Sequence, residues 1–246
     1  MFPLYDDNPH FGRPFVTWAI MAGCILAFLW QISLGAQGAR AVYSLGVIPS
    51  VLFGIRDLPA GLSAVPAWGT LFTSMFLHGG FMHLAGNMLY LWIFGDNVEI
   101  VMGRARFAVF YALCGVAAAL SQSLMVPDSD IPMIGASGAI SGLLGAYLLL
   151  FPRANVVVFI FLIGAITVPA ILVLGFWFLM QIFSGVSTPV GGGGVAFWAH
   201  IGGFVAGMAL IPFFKKPGVR LMQRKHSPSF RLERRRKWGK RRGPWG

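Results

Sequence analysis

Four polar side chains lie in long apolar stretches of this chain and could together carry out acyl-transfer chemistry. Ser137 supplies a hydroxyl and His200 an imidazole, a nucleophile and a base when the two lie within hydrogen-bond distance. His83 and Asn87 are four residues apart, so both fall on one face of a helix, and both can donate hydrogen bonds. Both side chains can therefore point to the same spot.

The local sequence around Ser137 fits this chemistry, although each residue alone has a simpler interpretation. Ser137 follows Gly135 and opens an apolar run, so its backbone N–H belongs to the first turn of a helix, where negative charge is favoured. The flanking residues do not form the G-x-S-x-G nucleophile elbow. Taken singly, the serine would be a packing residue, and His83, Asn87 and His200 would bond to backbone groups or neighbouring helices. The combination indicates a site.

The composition places these residues in a membrane protein. Of the 246 residues, 57% are hydrophobic and only 11% are charged, too few charges to cover a soluble globule of this size. Cys24 and Cys114 both lie in apolar segments and are expected to be lipid-facing or packing residues, not a disulfide or metal pair. The composition therefore predicts an all-α polytopic membrane protein. No metal and no cofactor are expected, because His78 and His83 are five residues apart with no HExxH motif.

Six apolar segments are long enough, or nearly so, to cross the bilayer as helices. They cover residues 14–34, 81–102, 106–126, 137–151, 155–185 and 195–214. The fifth is too long for one straight span and is predicted to break near Pro169, either as an interfacial piece plus one span or as two spans. The fourth covers only roughly 22 Å, so Ser137 should lie below the membrane surface in a water-accessible cavity.

Basic residues favour the version with six crossings. With six, the basic C-terminal tail falls on the same side as Arg13, Arg104, Arg106 and Arg153, as the positive-inside rule requires. We therefore predict a cytoplasmic N-terminus over residues 1–13, a membrane domain over 14–214 and a disordered cytoplasmic tail over 215–246, in a bacterial cytoplasmic membrane. The tail carries 13 of the 19 basic residues and is expected to bind anionic lipids and no nucleic acid.

This topology brings the four polar groups to one depth. The second, fourth and sixth spans all start from the outer face, and His83, Ser137 and His200 all lie near those starts. Small residues recur every four positions on two of these spans, which lets helix backbones approach closely. They are Ser137, Ser141 and Gly145 on the fourth span and Ala199, Gly203 and Gly207 on the sixth.

In these features the chain resembles the rhomboid intramembrane serine proteases over nearly all of residues 14–214. The resemblance depends on three groups of residues in the right order and spacing. They are Gly135, Ala136, Ser137 and Gly138 at the fourth span, Ala199, His200, Ile201, Gly202, Gly203 and Gly207 in the sixth, and His78, His83 and Asn87 about the second.

The resemblance implies a bundle of six transmembrane helices with a short fourth helix, and a Ser137/His200 dyad without a third acid. Ser137 would attack the scissile carbonyl while His200 acts as base and then as acid. The Ser137 backbone N–H and the side chains of His83 and Asn87 would bind the oxyanion. Substrates would be transmembrane proteins, cut near the outer surface, that enter past the fifth helix, where Phe176 and Trp177 would line a gate.

The sequence departs from the family pattern at two places. Trp68 is followed by Gly69 and not by the family's arginine, which removes a residue expected to anchor the first outer loop. One helical turn after the serine, some members carry an aromatic residue that packs on the catalytic histidine, and here that position is Ser141. His200 is therefore expected to be held differently.

Two other functions compete with proteolysis. A catalytically inactive rhomboid relative that binds membrane clients would have the same fold, but it would not need both Ser137 and His200. A small transporter or channel would place polar groups at mid-membrane on several helices, often with repeat symmetry. Neither pattern fits as well as the protease. The oligomeric state cannot be predicted.

Overall fold

The computed structural model describes residues 2–8, 12–188 and 194–223, and most of these residues are helical. Within this part of the chain, six helices have between 14 and 22 residues. They are α1 (Phe15–Ser33), α2 (Phe81–Met102), α3 (Arg104–Met125), α4 (Ser137–Leu150), α5 (Ala170–Ser187) and α6 (Phe197–Phe214).

Helices α1, α3, α5 and α6 are each long and apolar enough to cross a membrane. Helix α2 is as long as α3, with 22 residues, but it carries His83, Asn87, Asp96 and Glu99. Helix α4 is the short one, with 14 residues, and 11 of these are buried. The predicted polytopic membrane bundle with a short fourth helix in its centre is confirmed.

Glycines let α4 and α6 pack with their backbones in contact. A Cβ on Gly207 would lie 1.9 Å from the carbonyl oxygen of Gly142, and one on Gly203 would lie 2.1 Å from that of Gly138. A Cβ on Gly145 would lie 2.2 Å from the carbonyl oxygen of Phe204. On α6 the contact includes Gly203 and Gly207 of the predicted series. On α4 it includes Gly138, Gly142 and Gly145, and only Gly145 belongs to the predicted series.

A small sheet occupies the region that was predicted as the start of the fifth helical segment. Strands β1 (Phe2–Asp6), β2 (Asn155–Ile160) and β3 (Gly164–Pro169) form an antiparallel sheet in the order β1-β2-β3. The prediction of helix over 155–169 is therefore wrong, while the break at Pro169 lies where it was predicted, because α5 begins at Ala170. The β-branched residues of 156–158 and 166–168 favour strands, and pairing satisfies their backbone groups.

Strand β1 packs against the end of α4 that lies away from Ser137. The carboxylate of the buried Asp6 accepts hydrogen bonds from the Tyr147 hydroxyl and, at 3.0 Å, from Asn97 Nδ2. At the same end, the buried carboxylate of Glu99 accepts bonds from the N–H and the hydroxyl of Thr17, both at 2.8 Å. Because it also accepts from the N–H of Val16 at 3.1 Å, that carboxylate caps the start of α1, where N–H groups have no partner within the helix.

Residues 215–223, at the start of the predicted tail, lie against this same end of the bundle. The backbone N–H of Lys216 donates to the carbonyl of Val101 at 2.9 Å, and that of Gln223 donates to Leu150 at 3.0 Å. The rest of the predicted tail, residues 224–246, lies outside the described residues. Its binding of anionic lipids and its disorder therefore stay predictions.

The segment between α1 and α2 is held without the family's arginine beside Trp68. Arg40 donates to the carbonyl of Gly61 at 2.8 Å, which closes a loop within the segment. Arg56 forms a salt bridge with Asp130, which ties the segment to the loop before α4. Trp68 itself is 66% exposed. Two other arginines therefore make contacts in this segment, beside the backbone pairing of Val47 with Met133.

Candidate active site

The hydroxyl of Ser137 and the ring of His200 are in contact. Nε2 of His200 lies 2.9 Å from Oγ of Ser137, within hydrogen-bond distance. Ser137 is the first residue of α4 and His200 the fourth of α6, so the two side chains extend from adjacent helix starts. The approach of Gly203 to Gly138 brings these helix starts together. A serine and a histidine in this arrangement can act as nucleophile and base.

His83 lies over Gly135, next to the same hydroxyl. A Cβ on Gly135 would be 2.8 Å from both Cε1 and Nε2 of His83 and 3.7 Å from Oγ of Ser137. Gly135 also has φ of +125°, a backbone conformation that other residues rarely adopt. The N–H of Gly79 donates to Nδ1 of His83 at 3.4 Å, which leaves the proton on Nε2. His83 therefore presents an N–H donor beside Ser137.

Asn87 is one helical turn further along α2, and its side chain is buried. Among the described residues, its Nδ2 has no hydrogen-bond partner. A buried donor without a partner destabilises a protein by about 1–3 kcal/mol, so such groups need an explanation. A donor that is used only when an oxyanion forms would explain it.

His78 supports His83 from the side and is itself fully packed. Its backbone N–H donates to Oε1 of Gln31 at 3.0 Å, and its ring contacts the His83 ring at a centroid distance of 5.1 Å. Burial first, and then the neighbouring His83, lower the pKa of His78 from 6.5 to about 4. His78 is therefore neutral near pH 7 and adds no positive charge next to His83.

A cavity of about 500 Å³ opens onto this group of polar side chains, next to the start of the short fourth helix. Ser137, His83 and His200 line its floor. The walls come from the loop before α4 and from the residues before α6, including Pro132, Ile134, Val195 and Ala196. A cavity of this volume is large enough for an extended peptide segment or for several waters. Hydrolysis at Ser137 would need access for both peptide and water.

The two predicted gate residues differ in environment. Phe176 is 59% exposed on the outer side of α5. Trp177 instead packs inward, with its ring centroid 5.9 Å from that of His200 and 6.1 Å from that of Phe204. Trp177 thus occupies the neighbourhood of the histidine ring, while Ser141 donates its hydroxyl to the carbonyl of Ser137 at 2.6 Å.

Of the other predicted near-site residues, Gly202 lies at the contact between α6 and α3. A Cβ there would be 2.0 Å from Oγ of Ser121. Gly202 therefore sets the spacing of α6 and α3 and faces Ser121, not Ser137.

The sequence interpretation missed two glutamines near the site. Oε1 of Gln181, on α5, lies 2.8 Å from Nδ1 of His200. Oε1 of Gln122, on α3, accepts bonds from the backbone N–H of Trp198 at 3.1 Å and of Ala199 at 3.3 Å, which caps α6 just before His200. Both are polar residues in apolar helices, and this signal, which singled out Asn87, could have found them.

Comparison with known proteins matches residues 66–217 to the family model of the Rhomboid domain. The chain is 35% identical over 201 residues to the rhomboid protease GluP of Bacillus subtilis, covering 81% of this chain and 35% of that protein. It is 30% identical over 203 residues to the mitochondrial Rhomboid protein 1 of Saccharomyces cerevisiae, covering 75% and 56%.

A third relative, the rhomboid protease GlpG of Klebsiella pneumoniae, is 27% identical over 209 residues, covering 85% of this chain and 66% of that protein. The chain thus spans about a third of the Bacillus protein and little more than half of the yeast protein.

Proposed function

This chain belongs to the rhomboid family, and we propose on that premise that it is a serine endopeptidase that cleaves other membrane proteins in or near their transmembrane segments. The observation that carries the proposal is the 2.9 Å distance between Nε2 of His200 and Oγ of Ser137. A protein that only bound membrane clients would have no use for a base placed at a serine hydroxyl.

In the proposed reaction, Oγ of Ser137 attacks the scissile carbonyl carbon and its proton passes to Nε2 of His200. The protonated His200 then donates this proton to the leaving amine nitrogen, and the C–N bond breaks to leave an ester on Ser137. A water molecule from the cavity gives a proton to His200 and attacks the ester carbonyl. The ester bond breaks, the proton returns to Ser137, and the carboxylic product leaves.

The oxyanion of each tetrahedral intermediate would be bound by the Ser137 backbone N–H, Nε2 of His83 and Nδ2 of Asn87. The start of α4 also favours negative charge at this point. We expect His83→Ala and Asn87→Ala each to lower kcat by about 10²–10³-fold, as the loss of one oxyanion donor does elsewhere. Measured turnover, with folding checked by thermal unfolding, tests this; an unchanged kcat in both variants would remove the two side chains from the mechanism.

The proposed substrates are transmembrane segments that unwind locally. In an intact helix the backbone groups are bonded internally, so a peptide bond must leave the helix before Ser137 can reach its carbonyl. Small or helix-weak residues near a membrane surface allow this most easily. Such a segment would reach the cavity past α5, beside the exposed Phe176.

The experiment uses the full chain in liposomes with a fluorogenic transmembrane peptide and, separately, a fluorophosphonate probe. Wild-type protein is expected to cleave the peptide and to be labelled by the probe at Ser137. Ser137→Ala should lose both the cleavage and the label while remaining folded. If wild type cleaves none of a panel of such peptides and Ser137 is not labelled, the protein is instead an inactive rhomboid relative that binds membrane clients.

We further infer that both termini are cytoplasmic, in a bacterial cytoplasmic membrane. Arg13, Arg104 and Arg153 flank helix ends on the side of the bundle away from Ser137. The positive-inside rule assigns that side to the cytoplasm. Alkaline phosphatase fused after Gly246 should therefore be inactive in a bacterial host. An active fusion would show that the C-terminus lies outside the cytoplasm and would contradict this inference.

A further inference from the structure

We propose that Gln181 is a positioning residue that holds His200 in the tautomer needed for general-base catalysis. The inference rests on the proposed function of the Ser137/His200 pair. Oε1 of Gln181 lies 2.8 Å from Nδ1 of His200, on the side of the ring opposite to Ser137. The imidazole therefore has one polar partner at each nitrogen.

The orientation of the Gln181 amide follows from its second contact. Nε2 of Gln181 lies 3.5 Å from the backbone carbonyl oxygen of Trp177, one turn earlier on α5. The NH₂ group faces this carbonyl, which can only accept, whereas the opposite amide orientation would bring two oxygens to 3.5 Å from each other. The oxygen of the amide is thereby directed to His200.

The tautomer of His200 follows from the amide orientation. Since Oε1 of Gln181 can only accept, Nδ1 of His200 must donate, and the neutral ring then carries its proton on Nδ1. Nε2 is left with a lone pair, 2.9 Å from the hydroxyl of Ser137. This is the form that can remove the serine proton, and the other tautomer cannot act as base at that position.

An amide suits this place better than a carboxylate would. Gln181 lies within α5, an apolar helix, where a charged group would be costly to bury. An amide can orient an imidazole without charge, as in the Cys-His-Asn arrangement of other proteases. The ring of Trp177 lies against the His200 ring at a centroid distance of 5.9 Å and limits its rotation. Trp177 and Gln181, one turn apart on α5, therefore supply a ring contact and a hydrogen bond to His200. Ser141 has no aromatic ring to supply the first of these.

The first test requires no variant. In full-length protein labelled with ¹⁵N-histidine and reconstituted in micelles, the His200 resonances, assigned by their loss in His200→Ala, should show a proton on Nδ1 and none on Nε2. A wild-type ring protonated on Nε2 overturns the inference directly.

Three variants then test the consequence for the rate. Gln181→Met keeps the length of the side chain but has no oxygen acceptor, and we expect kcat and the rate of fluorophosphonate labelling to fall by about 10- to 100-fold with little change in KM. Gln181→Glu keeps an acceptor and should restore most of the rate and the Nδ1–H tautomer. Ser184→Ala, one turn further on α5, is the control and should retain wild-type rates.

The outcomes separate the inference from the function on which it rests. If Gln181→Met keeps the wild-type kcat and tautomer, the positioning role is wrong while the protease remains. If Ser137→Ala cleaves as fast as wild type, the proposed function is wrong whatever Gln181 does. If KM rises with kcat unchanged, Gln181 acts in substrate binding and the inference is again wrong.

Discussion

Replacing Ser137 and His200 together by alanine is expected to cost no more activity than replacing either one alone. In the proposed reaction the two side chains act as one unit, because His200 would serve only to move the proton of Ser137 and, later, of water. In serine hydrolases of this type each loss lowers kcat by about 10⁴–10⁶-fold, and the combined loss is far smaller than the product. The expected activity in Ser137→Ala, His200→Ala and the double variant is therefore the same residual level.

The measurement is kcat for a fluorogenic transmembrane peptide in liposomes, at matched protein incorporation. Ser123→Ala is a suitable control, because this buried hydroxyl on α3 has no hydrogen-bond partner among the described residues. It should keep wild-type activity. If the two losses multiply in the double variant, Ser137 and His200 act independently. That result would contradict the dyad that we propose from their 2.9 Å contact.

A single methyl group on Gly207 should both destabilise the bundle and inactivate it. A Cβ there would lie 1.9 Å from the carbonyl oxygen of Gly142 and 2.6 Å from its Cα, which are backbone atoms that cannot rotate away. Helices α4 and α6 would have to separate by about 1 Å or more to restore normal contact. Overpacking of this kind destabilises by about 1–3 kcal/mol or more.

The substitution should also lower the activity of the protein that stays folded, because His200 and Ser137 lie on the two helices that are forced apart. A misplacement of about 1 Å is enough to lower a rate by about 10²-fold. We therefore expect Gly207→Ala to lower the unfolding temperature and to reduce kcat by at least that factor.

The matched control is Gly175→Ala on α5, where an added Cβ would meet nothing within 4 Å. It should be neutral or slightly stabilising, because alanine favours helix. Thermal unfolding and peptide cleavage measured on both variants give the comparison. Wild-type activity in Gly207→Ala would show that the two helix starts are not held by this contact.

Several predictions from the sequence agree closely with the structure. Helix α2 has the predicted bounds, 81–102, and α4 begins at Ser137 as predicted and ends one residue early. Gly80 and Gly103 flank α2, while α4 begins at the polar Ser137 and ends just before Phe151 and Pro152, so the ends of both helices are marked in the sequence. The residues 155–160 and 164–169 were missed because a short run of β-branched apolar residues fits a strand and a buried helix equally well by periodicity.

Polar residues are conspicuous in apolar segments, so their types and their positions near helix starts could be recognised from the amino-acid sequence. Which of these residues contact one another depends on the tertiary structure. Gln181 and His200 are 19 residues apart, on different helices, and their contact depends on how α5 packs against α6. Likewise, the β1 residues reach β2 from the far end of the chain. Contacts between helices depend on rotation and approach of whole elements, which glycine spacing permits but does not specify.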